Sequence, residues 1–281
     1  MKQNIPFKVS NVEAGTTASV TLLKGNLIHR VNVQLAINGK KATDAQFLKV
    51  VERVKILFDG NTEWDISAET FLKLNKRYKL NDSNDGIFCI YFSRIELQEH
   101  ADTNHLGIGL KDIDVAKITF DFSNTLDGNT YVPSMKAFGY CTPDPNKEHG
   151  TGRYLRIVET DYNGLAGQNN IDELTSIFNK KGVWVKAVHF ENADIEEVAI
   201  KVGQVELFKA DTVLNKKINK DNTRTVGGVL EQSNWFSIDH SGADLEESNV
   251  YEGASTVTHK VKLSQNASST KIGIVYEILV V

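Results

Sequence analysis

The chain has 281 residues, 41% of them apolar and 24% charged, the make-up of a folded globular protein with room for two domains. Its net charge of −4, with Lys and Arg spread along the length, argues against the basic stripe of a dedicated nucleic-acid surface. No run approaches the ~20 apolar residues of a membrane helix, and the opening MKQNIPFKVS lacks the apolar core of a secretory signal, so a protein soluble as made is expected.

Short alternating runs follow one another from the N-terminus. ASVTLL (18–23), LIHRVNVQL (27–35) and VERVKILF (51–58) are rich in β-branched residues and bounded by turn residues, and they predict strands. The stretch KILFDGNTEWDISAETFLKLNK (55–76) continues as a turn, a second short strand and a helix. Ser67 is its expected N-cap, and Phe71, Leu74 and Tyr78 fall on one face.

NDSNDG (81–86) carries alternating oxygen side chains and a Gly, like the start of a calcium loop. Asp82, Asn84 and Asp85 are therefore the weak calcium candidates, although residue 92 is Phe where an acidic ligand is required. A polar turn explains the same residues through backbone preference alone. IFCIYFS (87–93) and VAKITFDFS (115–123) are further strands. In the second, Ile118, Phe120 and Phe122 face one side, and Lys117, Thr119 and Asp121 the other. CTPDPNKEHGTG (141–152) holds two of the four prolines and no apolar run, and reads as a linker.

Beyond it strands are predicted at RYLRIVET (153–160), VWVKAVHF (183–190), EEVAIKV (196–202), NWFSIDH (234–240), TVTHKVKLS (256–264) and KIGIVYEILVV (271–281). NNIDELTSIFN (169–179) predicts a helix with Asn170 as cap and Ile171, Leu174 and Phe178 inward.

The second half repeats the first. AIKVGQVELFKADTVLNKKINK (199–220) has the strand–turn–strand–helix order of residues 55–76, and KLNK (73–76) is answered by KINK (217–220) at a spacing of 144. Glu52 and Val54 match Glu196 and Val198 at that spacing, and Gly60 matches Gly203 with one residue deleted. Val31-Asn32-Val33 lies beside Val188-His189-Phe190, GIFCIYFS beside NWFSIDHS, and VAKITFDFS beside TVTHKVKLS. Each half then holds about eight strands and an inserted helix, which is the content of an eight-stranded double-sheet roll. The expected fold is all-β: two tandem eight-stranded jelly rolls, a double jelly roll with short inserted helices, residues 1–145 and 146–281.

With that order in place, the sequence resembles the double-jelly-roll major capsid proteins of membrane-containing icosahedral bacteriophages, nearest to the corticovirus type. NVEAGTTASVTLLKG (11–25), VERVKILFDG (51–60), GVWVKAVHFENADIEEVAIKVG (182–203) and TKIGIVYEI (270–278) carry the resemblance, which is weakest over 98–112 and 221–232. It implies a structural coat protein and no enzyme. Three copies would form a pseudo-hexagonal homotrimer, and trimers would tile an icosahedral shell over an internal lipid membrane. Partners would be further copies, minor capsid and vertex proteins and the viral membrane beneath, with no direct nucleic-acid binding. The location implied is the virion capsid, assembled in the host cytoplasm. On this reading the N-terminal residues 1–8 face the shell interior or the lipid, Lys2 and Lys8 toward headgroups, unless they form a free, solvated terminus.

Catalytic and cofactor motifs are not found in the sequence: no GxSxG, P-loop or dinucleotide fingerprint, and LGIGL (106–110) reads as a turn. The seven histidines are scattered, His100 and His105 being the nearest approach to a ligand pair. No catalytic residue and no cofactor is expected, calcium aside. Cys89 reads as a small buried apolar residue and Cys141 lies in a polar stretch; two cysteines define no disulfide framework and suit a reducing compartment. The competing reading is a tandem β-sandwich carbohydrate-binding module or glycan-active protein, resting on Trp64, Trp184 and Trp235. Trp64, among polar neighbours, is placed to project outward, whereas Trp184 and Trp235 are expected in the core.

Overall fold

A computed structural model describes residues 3–78, 85–92, 107–144, 150, 154–172, 183–221, 234–240 and 256–280. The chain divides into two compact units, Met1–Ile157 and Val158–Val281. The first contains β1 (Gln3–Ser10), β2 (Thr17–Thr21), β3 (Asn26–Ile37), β4 (Lys40–Lys41), α1 (Asp44–Val50), β5 (Val51–Phe58), β6 (Asn61–Ser67), α2 (Ala68–Arg77), β7 (Ile87–Tyr91), β8 (Ala116–Phe122) and β9 (Pro133–Pro143). Strand β10 (Tyr154–Asn163) begins in the first unit and continues into the second. There follow β11 (Gly167–Ile171), β12 (Val183–Glu191), β13 (Ile195–Val202), β14 (Val205–Asp211), α3 (Thr212–Asp221), β15 (Trp235–Asp239), β16 (Val257–Leu263) and β17 (Lys271–Val280).

In the first unit one sheet runs β7-β3-β9-β1, with β4 beside β7 on β3, and the other runs β2-β8-β5-β6. Strand β1 serves both: Gln3–Phe7 pair with β9 and Lys8–Ser10 with β2. The second unit has sheets β15-β12-β17-β10 and β14-β13-β16-β11, the same order role for role. Each is an antiparallel jelly roll of eight strands, with the two-residue β4 added in the first, so the fold is a double jelly roll. In the second roll the core interleaves Val188 and Phe190 of β12 and Ile274 of β17 with Val198 and Ile200 of β13 and Val261 of β16.

The repeat holds at the level of register. Ladder β5–β8 slips at Glu52 and β13–β16 at Glu196; β5–β6 slips after Ile56 and β13–β14 after Ile200. Both pairs of bulges are 144 apart. Strand β3 bulges at His29 and β12 at Lys186, and Asn32 opposes Cys89 as His189 opposes Ser237. A bulge adds one residue and re-aims the strand, so its repetition marks one backbone used twice. Register also corrects one match. The turns close on Phe58–Asn61 and Val202–Val205, so no residue is deleted and Gly203 stands at the place of Asp59. Both take positive φ, 48° at Asp59 and 58° at Gly203.

Four strands and a helix were not legible in advance. β1 takes up Gln3–Ser10, so residues 3–8 are paired strand and not a free, solvated terminus. β9 runs from Pro133 to Pro143 through the front of the stretch read as a linker; its prolines sit only at its two ends, where no ladder donor is lost. β4 is two residues long, and β11 places Asn169, Asn170 and Ile171 in a ladder with β16, so the helix expected from Asn169 does not start there. Leu174 and Phe178 lie outside the described residues. Helix α1 is set by a reciprocal cap: Thr43 Oγ1 accepts from Gln46 N (3.2 Å) and Gln46 Oε1 from Thr43 N (3.0 Å). Its Phe47 then packs on Phe88 at 4.1 Å between centroids and on Phe71 at 5.7 Å. The predicted α2 forms with Ser67 as N-cap, and Phe71, Leu74 and Tyr78 are buried.

Candidate functional site

Of the calcium candidates, Asp82 and Asn84 lie outside the described residues, as do His100 and His105. Asp85 is described, and its Oδ1 accepts the Ile87 amide at 2.7 Å, closing the turn into β7. Cys89 and Cys141 are free and buried, and burial pushes both thiols up to about 12, the nearby Arg30 opposing this at Cys89.

The densest polar chemistry lies in the second roll, at residues no motif singled out. Lys186, His189 and Glu277 have no exposed side-chain surface, and Ser237 has almost none. Lys186 Nζ donates to Glu277 Oε2 at 3.1 Å. His189 joins Glu277 Oε1 (Nε2, 2.9 Å) and Ser237 Oγ (Nδ1, 2.9 Å). A carboxylate accepts only, so Nε2 carries the proton that meets Glu277. Trp235 stacks on the imidazole at 4.6 Å and donates Nε1–H to Glu191. Serine, histidine and glutamate in hydrogen-bonded order resemble a nucleophilic triad, but Ser237 is closed to any substrate, and the group acts as a buried strut between β12, β15 and β17. The first roll fills the equivalent places with His29, Asn32, Cys89 and Tyr140, among which only His29 and Tyr140 meet as rings, at 6.3 Å. The strands alternate on a sheet buried on both faces, so Lys186 and Glu277 read in sequence as solvated charges.

The paired KLNK and KINK have their meaning in the asparagine. Asn75, fully buried on α2, accepts the Cys89 amide at Oδ1 (2.8 Å) and donates to the Phe71 carbonyl (3.0 Å). Asn219, at the same place on α3, donates Nδ2–H to the Ser237 carbonyl at 3.0 Å. Cys89 and Ser237 are equivalent residues of equivalent edge strands, so each roll pins its helix to its sheet at one point. The cap is shared too: Ser67 Oγ accepts from Thr70 N and Asp211 Oδ1 from Leu214 N.

On the outside of these two corners the rolls differ. In the first, Trp64 is buried: its Nε1 donates to the Leu155 carbonyl at 2.9 Å and its ring meets Tyr91 and Phe92. It therefore does not project outward, because Trp64 and Ile66 take the inward positions of β6. Trp235 is buried and Trp184 half-buried, so the three offer no exposed aromatic row for a sugar. Glu63 holds the Tyr154 hydroxyl at 2.8 Å and lies 3.7 Å from Arg156 Nε. Burial, then Glu63's hydrogen bond and charge, push the Tyr154 phenol up, against a smaller opposing effect of Arg156. In the second roll the same corner, β14 and α3, carries Val205, Leu207, Val213, Leu214 and Ile218, all exposed. They replace Asn61, Glu63, Glu69, Thr70 and the buried Leu74.

Two rolls of one topology place the chain in the double-jelly-roll class of proteins. Family models agree over nearly the whole chain: the viral coat protein P2 N-terminal domain matches residues 5–142 and the viral coat protein P2 C-terminal domain residues 154–280. The chain belongs to the viral coat protein P2 family; it is a coat protein and not an enzyme. No curated protein matches it by sequence. Among solved structures it is similar to the major capsid protein P2 from bacteriophage PM2, at 16% identity and TM-score 0.83, covering 99% of this chain and 97% of that one. The STIV MCP matches at 13% identity and TM-score 0.67, over 100% and 97%. PBCV-1 VP54 matches at 10% and 0.68, over 100% and 94%. At these identities the likeness is one of fold.

Proposed function

We propose that the chain is the major capsid protein of an icosahedral virus, in which three copies form a pseudo-hexagonal trimer that tiles a shell over an internal lipid membrane. The observation that carries the reading is the doubled roll itself. One chain supplies two barrels of the same strand order, so a ring of three supplies six, the number a hexagonal tile needs. Rolls of residues 1–145 and 146–281 are the working halves, supported by the gap between the two family models. Further partners on this reading are minor capsid and vertex proteins and the membrane beneath, with assembly in the host cytoplasm. Purified protein should sediment as a trimer whose mass does not change with salt or nucleic acid, and negative-stain images should show hexagonal plates. A monomer at high concentration overturns the reading. Calcium at Asp82, Asn84 and Asp85 belongs to the same proposal; titration calorimetry with CaCl2 on the trimer tests it, and no heat of binding removes it.

A further inference from the structure

The exposed apolar edge of the second roll has a covered counterpart in the first. There, the opening of β10 lies on the edge formed by β6 and the end of β7. The Leu155 amide donates to the Phe92 carbonyl at 3.1 Å, the Leu155 carbonyl takes the Trp64 indole, and Tyr154 packs edge-on against Phe58 at 5.7 Å. Tyr154 and Arg156 also engage Glu63. Helix α1 covers the adjoining apolar face of α2 through Phe47. In the second roll α1 has no counterpart, because only Asn192, Ala193 and Asp194 join β12 to β13. Val213 is 79% exposed, Val205 60% and Leu207 48%. They lie on β14, an edge strand, and on the helix that follows it. A strand edge carrying apolar side chains is a site for pairing with another chain, and soluble proteins ordinarily blunt it with charge. The first roll does so, with Asn61, Glu63 and Glu69 at the same places.

We infer that this edge, β14 with α3, receives the opening of β1, Gln3–Pro6, from a second copy of the chain. β10 is the first strand of the second roll as β1 is of the first, and the opening of β10 covers the first-roll corner. The opening of β1 is the corresponding piece for the second-roll corner, and a neighbouring copy in a ring supplies it. The chemistry changes in step on both sides. Glu63 faces a tyrosine hydroxyl and an arginine; its counterpart Leu207 would face Pro6, exposed on the same side of β1 as Asn4. A head-to-tail contact of this kind closes into a ring when the rotation allows. The inference rests on the trimer reading and adds which surface closes it and with which segment.

The test uses the full chain in two forms. In the first, Val205→Asn, Leu207→Glu and Val213→Glu give the second roll the residues of the first at solvent-exposed places, where the fold tolerates them. In the second, Asn4→Cys and Leu207→Cys are introduced together; the native thiols are buried and do not compete. Light scattering should find the parent trimeric and the triple variant monomeric, with an unchanged circular dichroism spectrum. Mild oxidation of the double-cysteine form should give a ladder ending at a covalent trimer, with the 4–207 linked peptide in its digest. A parent that is monomeric overturns the trimer reading and the inference with it. A trimeric parent with a trimeric triple variant overturns the inference alone. A triple variant that loses its trimer or its fold, with no 4–207 link in the cysteine form, also overturns it, since the occupant is then another segment.

Discussion

Replacing Asn75 by Ala should be among the more costly single changes at a polar residue, and its size follows from the two bonds the amide makes. The Cys89 amide, buried in β7, loses its acceptor at 2.8 Å and finds no water. An unsatisfied buried N–H costs about 1–3 kcal/mol. The Phe71 carbonyl loses a donor at 3.0 Å but keeps its helical partner, a loss of about 0.5–1 kcal/mol. The sum is about 1.5–4 kcal/mol. At Asn219 the recorded bond leads to a carbonyl, which tolerates a missing donor better than an amide tolerates a missing acceptor, so Asn219→Ala should cost about 0.5–1.5 kcal/mol. Urea unfolding at fixed protein concentration measures both, because association would otherwise move the midpoint. Hydrogen exchange at the Cys89 amide gives the local readout and should accelerate in Asn75→Ala alone. Equal costs for the two variants, or an unchanged Cys89 amide, would refute the assignment of the shared Asn as a helix-to-sheet pin.

Lys186→Met should destabilise by about 3–5 kcal/mol, because it strands the Glu277 carboxylate in the interior, whereas Lys186→Met with Glu277→Gln should recover much of that loss in the same urea assay. His259 is pushed down to about 3, chiefly by burial and also by the charge of His240, against an opposing hydrogen bond that the ring donates to the Ile171 backbone carbonyl. Its depressed value means that only the unfolded chain takes up the proton as pH falls below 6.5. Its contribution is therefore complete above 6.5 and lost toward 3, about 2 kcal/mol by pH 5, and His259→Leu should flatten the stability profile over that window. Ellman's reagent should find no reactive thiol in the native protein and two after denaturation. Iodide should quench Trp184 but spare Trp64 and Trp235, as Trp184→Phe would show by abolishing native quenching.

The strands legible in advance were those whose alternation is carried by β-branched and aromatic residues. β5 was legible to its ends, and the matched halves align in three dimensions where they align in one: Val31-Asn32-Val33 with Val188-His189-Phe190, and Ile118 with His259. β1, β9 and β11 escaped because Gln, Asn, Pro and Gly punctuate them. Gly139 within β9 shows why such residues are there, since a Cβ at that place would collide with the Phe7 ring. The T-x-x-Q cap of α1 was present in Thr43 and Gln46 and could have been read as a helix start.

The sequence by itself determined the doubled strand order, the inserted helices and the family resemblance, because a repeat and a period of two are properties of spacing along the chain. Only the tertiary structure decided what the repeated residues do. Asn75 and Asn219 became pins because each helix end comes to lie over the edge strand of its own roll. Lys186 and Glu277 became an interior pair because their sheet is covered on both faces, which no local pattern encodes. Glu63 and Leu207 take matched places on matched strands, yet one is half-buried and the other exposed. The difference comes from what covers each corner, and a sequence pattern records the periodicity of a face but not its neighbour.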